Sequence, residues 1–180
     1  MSRNTISQTQ NNVLLNNLKT FYNKERLDRM LSIINGESCI SLRIVDWFST
    51  NYSKKNFTLY ELKNGQRFKV YNDYKLRLRA YSKKRFDPFC RWDRIMIPYD
   101  EETSIQTTLG QLNFFKWAIE NEVIEYIEQN YKTIEDDMNH RNSSSKTRTN
   151  DKTRKKREEL SISATKTIFK ENIEIVVSFK

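Results

Sequence analysis

An α+β domain is the fold class this sequence predicts: N-terminal helices, a small antiparallel sheet, a long acidic helix, a basic linker and a C-terminal β-hairpin. Three observations carry that expectation. Apolar residues recur at helical spacing in VLLNNLKTFYNKERLDRMLSII and again in TTLGQLNFFKWAIENEVIEYIEQNYKTIEDDMN. Between these tracts Asn64-Gly65, the strongest short hairpin signal, joins two runs of Phe, Leu, Tyr and Val. With 180 residues the chain is long enough for one ordinary core and an appendage, and too short for two full-sized domains.

The leader, residues 1–12, is polar and reads as flexible. A core domain follows over residues 13–138. Val13/Leu14, Leu18 and Phe21/Tyr22, then Leu27, Met30/Leu31 and Ile34, predict one or two amphipathic helices, broken near Asn23 and capped by Gly36. Residues 40–56 are ambiguous: Ile40, Leu42 and Ile44 alternate as in a strand, whereas Leu42, Val45, Phe48 and Tyr52 keep helical spacing. Ser41 as an N-cap favours the helix. FTLYELKNGQRFKVY is the hairpin. NDYKLRLRAYSKK predicts a short basic helix capped by Asn72 or Asp73, with Leu76, Ala80 and Tyr81 as its inward stripe.

Asp87-Pro88 marks a turn, and RIMIPY a strand ended by Pro98 that joins the hairpin in one small sheet. From Thr108, a helix cap, Leu109, Leu112, Phe115, Ile119, Val123 and Ile127 progress along one face. This is the expected principal core helix, with a second one open after Thr133. Residues 139–159 lack apolar periodicity and read as a basic flexible linker. LSISATKTIF and IEIVVSF flank Lys170-Glu171-Asn172 as a closing hairpin over residues 160–180. Two strands alone are marginal in water, so this hairpin must dock on the core, pair with another copy or bind a partner.

Composition narrows the function classes. Three Gly and two Pro argue against a propeller, a collagen-like repeat or a glycine-rich phosphate loop. The start, MSRNTISQTQNN, lacks the apolar centre of a signal peptide, and no apolar run approaches the roughly 20 residues that cross a bilayer. A soluble protein, not secreted by the usual route and without a transmembrane segment, is expected. Cys39, Cys90 and His140 are the only residues of their kinds and are too few for a four-ligand zinc site; two reduced thiols are the simplest reading.

The net charge of +9 conceals segregation. Residues 67–94 hold ten cations against Asp73, Asp87 and Asp93, a local +7, and residues 139–157 hold eight against Asp151, again +7. Between them residues 100–138 carry ten acids against Lys116 and Lys132, a local −8. A clustered positive field attracts phosphate backbones. The alternative is that the acidic helix neutralises the basic segments within the fold.

In AYSKKRFDPFCRWDR, Tyr81, Phe86, Phe89 and Trp92 interleave with Lys83, Lys84, Arg85, Arg91 and Arg94. Nucleic-acid surfaces need both ingredients, cations to displace counterions and rings on which exposed bases stack. The same rings would equally fill a core around a tight turn. The cations, with Lys75, Arg77 and Arg79 of the basic helix, are the expected contacts, Arg85 and Arg91 foremost. KTRKKR, with Lys152, Arg154, Lys155, Lys156 and Arg157, would serve as a second phosphate-binding arm or a nuclear-import cluster.

Asp46 with Glu61-Leu62-Lys63 imitates the spaced acid and Glu-x-Lys of metal-dependent nucleases, but no preceding Pro-Asp is present. Cys90 with His140 as nucleophile and base is weaker, because His140 opens the linker. No catalytic residue, metal or cofactor is therefore expected.

RIVDWFSTNYSKKN, VYNDYKLRLRAYSKKRFDPFCRWDRI and TTLGQLNFFKWAIENEVIEYI, taken together, resemble a small-protein family of the large nucleocytoplasmic DNA viruses that infect amoebae and algae. The resemblance covers residues 40–138, with FDPFCR as its most specific part, and extends to the closing ELSISATKTI and IEIVVSF. It implies a viral protein of the host cytoplasm, virus factory, nucleus or particle, and supplies no mechanism. The expected function is non-catalytic, largely sequence-independent binding of nucleic acid, DNA first. A virion structural or assembly protein, binding viral protein partners or itself through the C-terminal hairpin, is the alternative, and a metal-dependent nuclease the third.

Overall fold

The computed structural model describes residues 3–91, 93–100, 102–147 and 170–172, with side-chain surroundings given for those from 9 to 141. Its architecture is α+β. Helix α1 (Arg3–Phe21) takes in most of the leader that the sequence marks as flexible, and docks Leu14, Leu15 and Leu18 on the core. Asn23 ends it and caps α2 (Lys24–Asn35), its Oδ1 accepting from Arg26 N at 3.0 Å. Gly36 closes α2 at φ 76°, where Glu37 N reaches Ser32 O at 2.8 Å. That pair of features is the glycine cap in which a left-handed residue lets the chain leave the helix.

The ambiguous segment is helical. Ser41 Oγ accepts from Ile44 N at 3.3 Å and starts α3 (Leu42–Trp47), which widens into a π turn over Phe48–Tyr52 before α4 (Ser53–Lys55). Ser49, Thr50 and Ser53 donate to the carbonyls of Val45, Asp46 and Ser49 at 2.8, 2.7 and 3.0 Å. Such back-bonding competes with the helical ladder and bends it.

Strands β1 (Leu59–Glu61) and β2 (Arg67–Lys69) form the expected hairpin, with Tyr60 opposite Phe68 and Gly65 at φ 78° in the turn. Helix α5 (Val70–Arg85) follows β2 directly and starts ahead of Asn72 and Asp73. Its inward stripe differs from the expected one: Val70 and Tyr74 are buried and Leu78 and Tyr81 pack against the core, while Leu76 is 62% exposed and Ala80 faces solvent. Tyr74 lies 5.8 Å from the Trp117 ring with Leu78 one turn on, and Asp73 accepts from Trp117 Nε1 at 2.7 Å instead of capping the helix. Ser82 (φ 62°, ψ 167°) breaks the last turn.

The sheet is divided. β3 (Arg94–Pro98) pairs not with the hairpin but with β4 (Thr103–Thr108), antiparallel, with Ile97 opposite Ile105. β4 has no counterpart in the sequence reading, because TSIQTT carries a single large apolar residue. Residues Lys170–Asn172, expected as the loop of the closing hairpin, form β5 on the far side of β4, with Thr103 opposite Asn172. The flanking residues 160–169 and 173–180 lie outside the described residues.

The expected long helix is three. α6 (Leu109–Glu120) starts at Thr108, whose Oγ1 accepts from Gln111 N at 3.2 Å. The break falls at Glu122 (φ 54°), after which come α7 (Val123–Gln129) and α8 (Tyr131–Thr147). α8 continues past residue 139, where the sequence places the start of the linker. Every residue from Leu109 to Ala118 except Lys116 is buried, so α6 is the central element, with α1 and α5 against it and α3 against α7 and α8. A ring-to-ring path crosses the core from Tyr52 through Phe48, Tyr126, Tyr60, Phe68 and Trp117 to Phe86. Among the described residues no helix is long and apolar enough to cross a membrane.

Candidate nucleic-acid interface

The FDPFC turn resolves the choice left open for its rings. Phe86 is wholly buried, 5.7 Å edge-on to Trp117 and 5.7 Å from Phe114, and Phe89 packs partly against the same cluster. Backbone ties hold the turn to α6. Asn113 Nδ2 donates to Arg85 O at 2.8 Å, Thr108 Oγ1 to Cys90 O at 3.4 Å, and Cys90 Sγ to Lys84 O at 3.3 Å. Gly110 sits so close that a Cβ there would meet Cys90 Cβ at 2.8 Å and the carbonyls of Asp87 and Lys84 at 3.1 Å. Phe86 is a core ring.

Three expected phosphate contacts are already engaged. Arg85 is half-buried and ties α5 to α1, its Nε donating to Asn11 Oδ1 at 2.6 Å and its Nη1 to Gln10 Oε1 at 3.1 Å. Arg94 Nη1 reaches Gln106 Oε1 at 2.8 Å across β3 and β4. Arg77 pairs with Asp73 at 3.5 Å. Arg91, Lys83 and Lys84 are exposed. Trp92, Lys152, Arg154, Lys155, Lys156 and Arg157 lie outside the described residues.

Lys75 and Arg79 lie on the outer face of α5. Asn72, Lys75, Leu76 and Arg79 project from it at helical spacing, and Lys69 and Arg67 extend the face along β2. Lys75 and Arg79, one turn apart, make no ion pair with any described residue; nor do Lys69 and Lys83. Four of the ten acids of residues 100–138 are spent on other cations: Glu125 and Glu128 on Arg29 at 2.8 and 3.5 Å, Glu120 on Lys116 at 2.7 Å, and Asp137 on Lys55 at 2.9 Å. Burial raises Asp137, but hydrogen bonds from Lys55 and Trp47 and the charges of Lys55 and Arg141 outweigh it and hold the carboxyl below its ordinary range. The basic helix therefore keeps its field.

At one end of this face the chain opens a hollow of about 400 Å³ lined by Ser53, Lys54, Phe57, Thr58, Lys69, Tyr71 and Asn72. Phe57 stands on its rim at 88% exposure and φ 47°. Lys54 Nζ lies 5.7 Å over the Tyr71 ring, a cation–π distance. The sequence reading placed Phe57 at the start of the hairpin's first run without assigning it to a face. Thr58 and Tyr60 are turned inward, Tyr60 stacking on Tyr126 at 4.8 Å, so strand alternation turns Leu59 outward, while Phe57 reaches solvent from the left-handed turn ahead of the strand. The available signal for Leu59 was that alternation, with Tyr60 and Phe68 chosen as the buried pair.

The enzyme readings gain no assembled site. Asp46 is half-buried, its carboxyl raised to about 6 by burial and then by the nearby Asp87 charge, while Glu61 stands beside the Gly65 turn. Among the described residues no three His, Cys, Asp or Glu side chains gather to hold a metal ion. Cys90 is buried in its turn, and His140 lies on the exposed side of α8.

A model of a family of unknown function, DUF7197, matches residues 2–180. Uncharacterized protein L507 of Acanthamoeba polyphaga mimivirus is 52% identical over 117 residues, 61% of this chain and 45% of the relative. The chain thus spans somewhat under half the length of that relative, and the viral setting suggested by the sequence agrees with it. No solved structure matches.

Proposed function

Because the chain belongs to DUF7197, a family of unknown function, we propose its role from its own surface: it binds nucleic acid through the outer face of α5 and β2, without catalysis. One observation carries this reading. Lys69, Lys75 and Arg79 share a face with no carboxylate among the described residues paired to them, although four acids of the acidic tract pair with other cations. Cations left together repel one another by a few tenths of a kcal/mol per helical pair, a cost that a phosphate backbone removes. Phosphates dominate such contacts, so sequence preference is slight. The protein then acts where viral DNA is abundant, in the virus factory, the nucleus or the particle. The basic segment Lys152 to Arg157 adds a second contact.

Fluorescence anisotropy with labelled single-stranded and duplex DNA across a salt series tests this. The intact chain should bind with a steep loss of affinity as salt rises. Lys75→Glu/Arg79→Glu should lower the slope of log K against log salt by about 1.4 on single strands, the value for two lost phosphate contacts. Arg85→Glu should act through loss of the α1 tie, visible as a lower Tm. Absence of binding at low salt, or an unchanged slope in the double variant, would overturn the proposal.

The assembly reading has its own supporting feature. β3 is an edge strand among the described residues and carries Met96, 40% exposed. An open edge is a template for another strand. Salt-insensitive self-association in sedimentation would favour it.

A further inference from the structure

We infer that the hollow beside Phe57 takes one unpaired base of a single-stranded nucleic acid, so that this protein prefers single strands to duplex. The inference rests on the reading of α5 and β2 as a phosphate-binding face and deepens it.

An exposed apolar residue is ordinary by itself. Phe57 is not ordinary in its backbone. Thr58 N reaches back to Ser53 O at 3.1 Å, five residues earlier, which makes Phe57 the left-handed residue that closes α4. That position favours Gly because a Cβ crowds the following carbonyl there. A Phe at this point is unfavourable twice, in backbone conformation and in a ring left in water at 88% exposure. Among the described residues that ring joins neither the core cluster nor the side chains packed against it.

Its surroundings specify what the ring meets. The hollow holds Lys54 and Lys69, two cations, and among the described residues no carboxylate lines it. Its volume, about 400 Å³, falls within the roughly 300–1,000 Å³ of small-ligand sites. Tyr71 also lines it, with Lys54 Nζ 5.7 Å over its ring, and Asn72 offers an amide able to donate and accept at a base edge. Continuity with Lys75 and Arg79 on α5 carries the strand onward. A flat ring flanked by cations, with one amide at its edge, suits a base stacked on Phe57 and its neighbouring phosphates on Lys54 and Lys69. A base inside a duplex is already stacked on both faces and offers Phe57 nothing.

The test is anisotropy with the full chain at one moderate salt concentration, using labelled oligothymidylate and an equally long strand of abasic units. Both carry the same phosphates. The intact chain should bind oligothymidylate roughly tenfold more tightly than the abasic strand, the scale of one stacked base. Phe57→Gly should bind both strands with the abasic affinity, and Phe57→Trp should retain the preference. Folding gives an independent readout, because Phe57→Gly should melt no lower than the intact chain. Retention of the base preference in Phe57→Gly would overturn the inference while leaving salt-steep binding, and with it the phosphate-face reading, in place. Failure of the intact chain to bind either strand at low salt would overturn both.

Discussion

Asp46 shows how one half-buried carboxyl sets a pH dependence. Burial, and then the neighbouring Asp87, lift its folded value to about 6, against 3.8 for an ordinary aspartate. A carboxyl whose folded value lies above its unfolded one binds protons more tightly in the folded state. Its effect on stability is therefore best below pH 4 and worsens as pH rises through 6, after which the penalty is constant. Two units correspond to about 2–3 kcal/mol at neutral pH. Asp46→Asn should thus raise the unfolding free energy by about 1–2 kcal/mol at neutral pH and flatten its fall between pH 4 and 6. Urea denaturation of both proteins at several pH values checks this. Equal slopes in that window would show that Asp46 is solvated. Tyr74, which faces the same groups, is pushed up to about 12 by burial first and then by Asp46 and Asp87, so it stays neutral throughout.

Elements meet most tightly where α6 begins. Gly110 lets the FDPFC turn lie on the helix, and two of the three atoms that a Cβ would strike are backbone carbonyls that cannot rotate away. Gly110→Ala gains up to about 1 kcal/mol of helix propensity and loses about 1–3 kcal/mol to overpacking, so the variant should melt a few degrees lower. A higher Tm would mean that the turn shifts at little cost. The same junction marks how far the sequence was readable. Caps were legible because their chemistry is local: Asn23, Gly36, Ser41 and Thr108 each end or start a helix where expected. The Asn64-Gly65 hairpin was legible for the same reason. β4 was not, since TSIQTT is made a strand by β3 and β5 and not by its own apolar pattern. Nor was the break at Glu122, which needs no Gly or Pro because Lys63 N donates to Glu122 Oε1 at 3.1 Å and holds the bend from the hairpin. α5 was found but misphased, because Leu76 looked like core and Asp73 like a cap until Trp117 took Asp73. The basic face was legible as a cluster of residues; Phe57, its most distinctive member, was not, since its exposure comes from the left-handed turn ahead of the strand.

Across the whole molecule the two signs of charge do different things. The carboxylates of α6, α7 and α8 are largely engaged with Arg29, Lys55, Lys116 and Arg141, in pairs that salt weakens little because several are half-buried. Lys69, Lys75, Arg79 and Lys83 instead repel one another across exposed helix and strand, and the chain as a whole carries +9. Salt screens exposed repulsion more than half-buried attraction. Raising salt from low to physiological levels should therefore raise Tm while it lowers affinity for DNA. Lys75→Glu/Arg79→Glu removes both effects together, because one set of cations causes them. Differential scanning fluorimetry beside the anisotropy series measures the pair. If Tm falls with salt instead, the Arg29 and Lys55 pairs dominate the fold's electrostatics and the α5 cations are too well solvated to strain it, in which case their gain on meeting phosphate would come from counterion release alone.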